Sequence, residues 1–314
     1  MGPAEVLTLE QEETPLPGPG EVQVRQTAIG LNFIDVYFRS GLYPTTLPFI
    51  PGQESVGVVT AVGDGVRLAL GTRVASAGVT GAYATARVLP AERVVPLPEE
   101  IDDVTAAAIL LKGMTAEYLV RRCHRLEPGQ TVVVHAAAGG VGQLLCQWAR
   151  HLGATVIGAV GRRDKASLAS ACGAHHVVVL SEQRLVDEVK RLTGGRGVDV
   201  VYDSVGKDTI AASLDSLRPR GLLVSFGQSS GMPEPLAFSS LGGARSLFVT
   251  RPSMHAYVHT RAELEESSAA LFEVVRRGVV KVSAPTTFAL AAVAEAHRAL
   301  EARKTTGSVV LLPG

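Results

Sequence analysis

The sequence predicts an α/β protein of two domains, a doubly wound parallel sheet inserted into a mostly antiparallel β domain. Three observations predict it. Between residue 131 and about 227, short β-branched runs alternate with stretches of helical spacing; before residue 112, short strands are broken by many Gly and Pro residues; and the tail from about Leu264 resembles neither half of the central unit. A chain of 314 residues, 46% hydrophobic and 19% charged, holds enough apolar material for two cores.

In the β domain, Val22–Ala28 and Ser55–Val62 read as strands. In the central unit, Val132–His135, Thr155–Val160, Val177–Leu180, Val198–Tyr202 and Leu222–Phe226 each read as a strand buried on both faces. Between them, Gln143–Leu152 and Arg184–Leu192 carry helical spacing. Strand and helix alternating at this period imply right-handed crossovers and a parallel sheet. The tail reads as an amphipathic helix, a strand at Phe288, a helix over Val293–Ala302 and an apolar run Ser308–Leu312, and is expected to complete the first domain. Residues 1–112 with 256–314 then form the β domain, and residues 113–255 the parallel one.

Thirty basic and thirty acidic side chains cancel, so no electrostatic footprint for nucleic acid or an anionic membrane is present and a small-molecule partner is expected. Cys123, Cys146 and Cys172 match neither a disulfide framework nor a metal knuckle, which fits a reducing cytoplasm. No run approaches the roughly 18 apolar residues of a membrane span, and no secretory signal pattern opens the chain. His255 and His259 have i, i+4 spacing but no third ligand nearby, and read as solvated or packing side chains.

The strand Thr131–His135 runs straight into Ala136-Ala137-Ala138-Gly139-Gly140-Val141-Gly142 and then a helix. Against the pattern Gly-x-Gly-x-x-Gly, Ala137 stands first, Gly139 second and Gly142 third. Gly139 lets the backbone approach a pyrophosphate, Gly142 lets helix and strand pack closely, and the helix N-terminus offers unpaired N–H donors. A glycine-rich turn without a ligand is the bland alternative, and the strand before, helix after and second strand at 155–160 weigh against it. At the end of that second strand, where NAD-selective sites place an acidic residue, the chain reads Gly161-Arg162-Arg163-Asp164-Lys165. Its cations suit a 2′-phosphate and favour NADPH; a solvated helix start is the alternative, and Asp164 counts against the cluster.

Several motifs together resemble the zinc-independent quinone oxidoreductases, the zeta-crystallin-like branch of the medium-chain dehydrogenases/reductases. They are Gly30-Leu31-Asn32-Phe33-Ile34-Asp35-Val36-Tyr37, Arg39-Ser40-Gly41-Leu42-Tyr43-Pro44, Pro51-Gly52-Gln53-Glu54, Lys112-Gly113-Met114-Thr115, Tyr202-Asp203-Ser204-Val205-Gly206, Val224 to Gly231 and Phe248 to Ser253. The resemblance implies a Rossmann domain, a GroES-like domain and NADPH-dependent reduction of a quinone. It places Asn32, Gln53 and about Lys112 where zinc-dependent relatives carry metal ligands, and amide and ammonium groups cannot replace thiolate and imidazole, so no metal is expected.

Carried over residue by residue, the resemblance puts Asn32, Tyr43 and Thr115 near the nicotinamide or its ribose. Ala138, Gly139, Gly140, Val141 and Gly142 meet the pyrophosphate, and Gly161, Arg162 and Lys165 the adenosine phosphate. Ser204 and Ser229 join the cofactor set, with Phe226, Gly227, Phe248, Val249, Thr250 and Arg303 closing the cleft. Phe226 and Phe248 are equally explained as core, whereas Asn32 and Tyr43, read as loop residues, are harder to explain by packing. Asn32, Gln53 and Tyr43 are the candidates at the reacting centre, none of them as an evident proton donor. Two features depart from the family: Leu180 stands where relatives carry an aromatic or histidine over the adenosine phosphate, and the start Met1 to Leu7 lacks an expected first strand. A homodimer is implied, with Ser246–Val249 as the pairing edge. Reduction of an enone or enoyl double bond is the nearest alternative, and an RNA-binding or crystallin-like structural role the alternative of another class.

Overall fold

Strand β1 (Glu21–Leu31) alternates inward Val22, Val24, Gln26 and Ala28 with more exposed Glu21, Gln23, Arg25 and Thr27, the period of a half-buried antiparallel strand. In the computed structural model, which describes residues 1–314, β1 is followed by helix α1 (Phe33–Ser40) and strands β2 (Glu54–Val62), β3 (Arg73–Ala77), β4 (Ala86–Pro90) and β5 (Val94–Pro96). No strand precedes Glu21; Ala4–Val6 makes one 3-10 turn. Helix α2 (Asp103–Tyr118) comes next, its first turn bound by Asp102, whose carboxylate accepts from the Thr105 amide at 2.8 Å.

Five strands alternating with four helices follow: β6 (Thr131–Val134), α3 (Gly140–His151), β7 (Thr155–Val160), α4 (Ala166–Ala171), β8 (His176–Val179), α5 (Leu185–Leu192), β9 (Val198–Asp203), α6 (Ile210–Ser216) and β10 (Leu217–Ser225), then edge strand β11 (Phe248–Thr250) and the short α7 (Met254–Tyr257). The strand order is β8-β7-β6-β9-β10-β11 and every pairing is parallel. The order reverses between β6 and β9, so the crevice beyond their carboxyl ends is where such a sheet binds ligands. Strand β10 starts at Leu217 rather than the expected Leu222, because Arg220 takes φ 60° and donates its amide to the Arg245 carbonyl at 2.7 Å, which breaks the register between Leu217 and Leu222.

The tail supplies α8 (Arg261–Arg276), β12 (Thr286–Ala289), α9 (Val293–Glu301) and β13 (Val309–Leu312). Strand β13 pairs antiparallel with β1 and β12 parallel with β13, giving the order β12-β13-β1-β2-β3-β5 with β4 also on β1. The tail thereby completes the first sheet. Two units result: Met1–Met114, Val258–Arg276 and Val282–Gly314 form one, and Thr115–Tyr257 with Arg277–Lys281 the other. No helix is long and apolar enough to cross a membrane.

Candidate active site

In the first unit, the site grows from the junction of β1 and α1. Asn32 is the single residue between them, not part of a longer loop: it is the N-cap residue of α1, and its amide N–H donates to Asp35 Oδ2 at 2.9 Å. Its side-chain Nδ2 donates to Glu54 Oε2, also at 2.9 Å. Glu54 is fully buried and is held by two further donors, the Leu111 amide at 2.7 Å and the Lys112 ammonium at 3.1 Å. Burial pushes the Asp35 carboxyl up to about 7, against the lowering effect of the hydrogen bonds from the Asn32 amide and Tyr83.

Gln53 is buried next to this cluster in the chain; its Nε2 bonds the Thr80 hydroxyl at 3.1 Å and its Oε1 has no protein partner. Tyr43 packs edge-on against Tyr37 and Phe38 of α1, at ring separations of 5.2 and 5.6 Å, so packing does account for part of its presence. The Asn32, Gln53, Glu54 and Lys112 group does not fit a zinc ion: its cation is already on the carboxylate, and it contains neither thiolate nor imidazole.

In the second unit, the turn after β6 carries Ala136 at φ 49°, and the Gly139 amide donates back to its carbonyl at 2.8 Å. An added Cβ on Gly142 would collide with the Ala136 carbonyl oxygen and lie 2.8 Å from Ala137 Cα, which is the close helix–strand approach expected of the third glycine. Ala137 is tolerated at the first position because its methyl faces Gly158 of β7, where a side chain would lie 3.0 Å away. Ala138 is buried, and Gly140 and Val141 open α3 with their N–H groups at its N-terminus. Beside Gly161 an added Cβ would meet nothing within 4 Å.

Beneath this turn lies a network not anticipated from the sequence. His135 Nε2 is 2.9 Å from Ser213 Oγ, and Ser213 donates to Asp203 Oδ2 at 2.7 Å. Asp203 Oδ1 accepts from the Val205 and Gly206 amides and from Thr209 Oγ1, at 2.8, 3.1 and 2.9 Å. Serine stands between histidine and carboxylate and all three are buried, so the trio shapes the Ser204–Thr209 turn and offers no nucleophile. Burial holds the His135 imidazole below its usual range.

The remaining candidates cluster at the carboxyl ends of β9, β10 and β11. The Ser229 amide donates to the Ser204 carbonyl at 3.2 Å and that of Phe226 to the Asp203 carbonyl at 2.9 Å, which brings Ser204, Phe226, Gly227 and Ser229 together; Thr250 pairs with Val224 alongside. Phe248 is not core: it is 61% exposed, and Val249 37% exposed, because β11 is the sheet's outer strand. In the cation cluster, Arg162 binds Asp164 at 3.1 and 2.5 Å and Arg163 pairs with Glu182, while Lys165 closes the same 3-10 turn and acts on Asp164 as well. Leu180 directly follows β8 and packs into the core of this unit. Thr115 is buried in α2, and Arg303 is exposed at φ 56° just after α9. His255 and His259 are both exposed, and α7 ends before His259, so no helical face unites them.

Comparison with known proteins places the fold. The alcohol dehydrogenase GroES-like domain matches residues 18–99, and the zinc-binding dehydrogenase family matches residues 140–271. A quinone oxidoreductase of Pseudomonas aeruginosa is 48% identical, over 99% of this chain and 97% of the relative. The chain belongs to the quinone oxidoreductase family. Within that family and its wider medium-chain dehydrogenase/reductase superfamily, a 2-haloacrylate reductase of a Burkholderia species is 45% identical over 97% of this chain and 94% of its own length. The structure of Escherichia coli quinone oxidoreductase complexed with NADPH superimposes with a TM-score of 0.97 at 45% identity, over 99% of this chain and 97% of that one. Set against this quinone oxidoreductase fold, the features that sequence reasoning missed are polar partners: half-buried Tyr83, buried His297 and Ser213, and the anchoring role of Asp203.

Proposed function

We propose that this chain is an NADPH:quinone reductase that delivers a hydride to a quinone without zinc. The reading rests on near-full-length similarity to quinone oxidoreductases at 45–48% identity, one of them solved with NADPH. When bound, NADPH supplies the hydride from its nicotinamide ring. The unit Thr115–Tyr257 would hold it: Ala138, Gly139, Gly140, Val141 and Gly142 at the pyrophosphate, Gly161, Arg162 and Lys165 at the adenosine phosphate, and Ser204, Phe226, Gly227, Ser229, Phe248, Val249 and Thr250 along the remainder. Thr115, Asn32, Tyr43 and Arg303 would bind toward the nicotinamide half.

Asn32 and Gln53 orient the acceptor. The Thr80 hydroxyl can donate or accept, so the Gln53 amide can keep that bond while presenting either its N–H or its oxygen. It can therefore donate to a quinone carbonyl and accept from the hydroxyl formed from it. The oxygens of the reduced quinone take protons from water, and no side chain is required as the acid. A cytoplasmic homodimer paired through β11 would cover Phe238, Phe248 and Val249, which are 90%, 61% and 37% exposed.

Steady-state oxidation of NADPH by 1,4-benzoquinone, against 2-alkenals and 2-haloacrylate, tests the reading. The quinone should show the higher kcat/KM; the reverse order would favour double-bond reduction, which the Burkholderia relative supports as the second reading, and no turnover with either would reject both. Gly139→Val should keep the fold and lose NADPH binding, since a branched side chain would fill the cradle. Normal binding by this variant would put the phosphates elsewhere.

A further inference from the structure

Two residues that the proposed chemistry leaves unused, Tyr83 and His297, connect Asn32 to the far end of α9 by an unbroken line of hydrogen bonds. Arg39 binds Glu301 through both nitrogens at 2.7 and 2.8 Å, and its Nη1 lies 3.2 Å from His297 Nδ1. A guanidinium only donates, so Nδ1 must accept and the neutral ring carries its proton on Nε2. Nε2 lies 2.9 Å from the Tyr83 hydroxyl, which accepts that proton's bond and has its own left for Asp35 Oδ2, 3.1 Å away. Asp35 Oδ2 also receives the Asn32 amide. From Arg39 onward, through His297 and Tyr83, each bond points toward Asp35, while Arg39 is held from behind by Glu301. Burial and the neighbouring Arg39 hold the His297 imidazole down at about 4, in keeping with a neutral ring.

Tyr83 also packs on the residues just before the second candidate, Gln53. Its amide donates to the Pro51 carbonyl at 2.9 Å and the Ala82 amide to that of Gly52 at 3.1 Å. Gly52 takes φ +92°, and a Cβ there would lie 2.8 Å from Tyr83 Cε1, so the ring rests on the backbone that presents Gln53.

We propose that Tyr83 is a positioning residue for the reduction: through the hydrogen bond it gives Asp35 it fixes Asn32, and through its ring on Gly52 it fixes Gln53, with His297 and Arg39 setting the direction of that bond. The inference rests on the roles proposed for Asn32 and Gln53. Besides Tyr83, the charged groups acting on Asp35 are Lys112 of α2 and Glu54 of β2, and on Tyr83 Arg39 of α1.

The test uses the full chain with Tyr83→Phe, His297→Leu and His297→Gln. The Asn32 amide resonance, followed against pH, reports the ionisation of Asp35 without turnover; kcat and the NADPH Kd are measured beside it. Losing a donor to its carboxylate, Asp35 should titrate about one pH unit higher in Tyr83→Phe. In the same variant kcat should fall about tenfold while the NADPH Kd stays within about twofold, as expected when one hydrogen bond that positions Asn32 is lost. His297→Leu should behave alike, and His297→Gln, with one acceptor and one donor, should recover most of the loss. An Asn32 titration unmoved by Tyr83→Phe, an equal loss of NADPH affinity, or equal damage by Leu and Gln at position 297 would overturn the assignment. If the wild type reduces no quinone yet Tyr83→Phe still shifts the Asn32 resonance, the proposed function fails while the coupling stands.

Discussion

The two buried histidines, His135 in the parallel unit and His297 in the antiparallel one, belong to networks that leave opposite atoms unsatisfied. Around His135 the carboxylate is saturated, with Asp203 accepting four hydrogen bonds, and the bare atom is His135 Nδ1. Around His297 the ring is bonded on both nitrogens, and the bare atom is Asp35 Oδ1. A saturated carboxylate anchors the Ser204–Thr209 turn. A half-saturated buried one titrates in the neutral range, because burial disfavours the charge more than its two donors favour it. One network is built for rigidity, the other to respond to pH.

The sharpest way to break the contrast is Asp203→Ala. It removes the carboxylate that accepts from four donors, which should cost about 3–5 kcal/mol in urea denaturation and loosen the Ser204–Thr209 turn. A loss below about 1 kcal/mol would mean that water replaces the carboxylate and that the anchor is dispensable.

Next in size is the pH dependence of stability. Asp35 rises from 3.8 to about 7 on folding, so the native state holds a proton that the unfolded chain has released, and its contribution to stability is lost as pH rises through 7. His297 falls from 6.5 to about 4, so its contribution is present above 6.5 and lost as pH drops through 4. Between pH 4 and 6.5 the two slopes oppose, and this pair contributes a nearly flat profile. Asp35→Asn should uncover the His297 limb, a gain of about 3 kcal/mol relative to wild type from pH 4 to 6.5, at about 1.4 kcal/mol per pKa unit. His297→Gln should uncover the opposite limb, a fall of about 3 kcal/mol relative to wild type between pH 4 and 6.5. Denaturation midpoints across this range check both, and parallel profiles for the three proteins would sink the assignment.

The smallest effect is expected where the charges face solvent. Arg162 and Asp164 are both more than half exposed, so water and salt weaken their pairing and any contact to a 2′-phosphate. Arg162→Ala with Lys165→Ala should reduce the preference for NADPH over NADH about tenfold in kcat/KM, less at high ionic strength, with NADH kinetics nearly unchanged. Asp164→Asn should move the preference the other way, since it releases Arg162. An undiminished preference in the double variant would place the selectivity elsewhere.

The parallel unit was legible because its signals are local. Val132–Val134 and Val200–Tyr202 are buried and read as continuous apolar runs, and the glycine-rich turn occupies adjacent positions from Ala136 to Gly142. Helix α2 was not legible for the complementary reason: Ala106 to Leu110 are all buried, so the segment shows no polar face and no 3.6-residue period. Helix α1 escaped notice because it is two turns long and begins inside a motif that reads as a loop.

Residue order was enough for the parallel and antiparallel sheets, the glycine-rich turn's position and the family, because each depends on neighbours within one turn or one βα unit. It carried nothing about the partners of Asp35. Tyr83 lies 48 residues away from it, His297 a further 214 from Tyr83, and Arg39 reaches Glu301 across 262. Which buried donor meets which acceptor is settled when distant segments dock, since an unpaired polar group in the core is costly and only the folded chain offers it a partner.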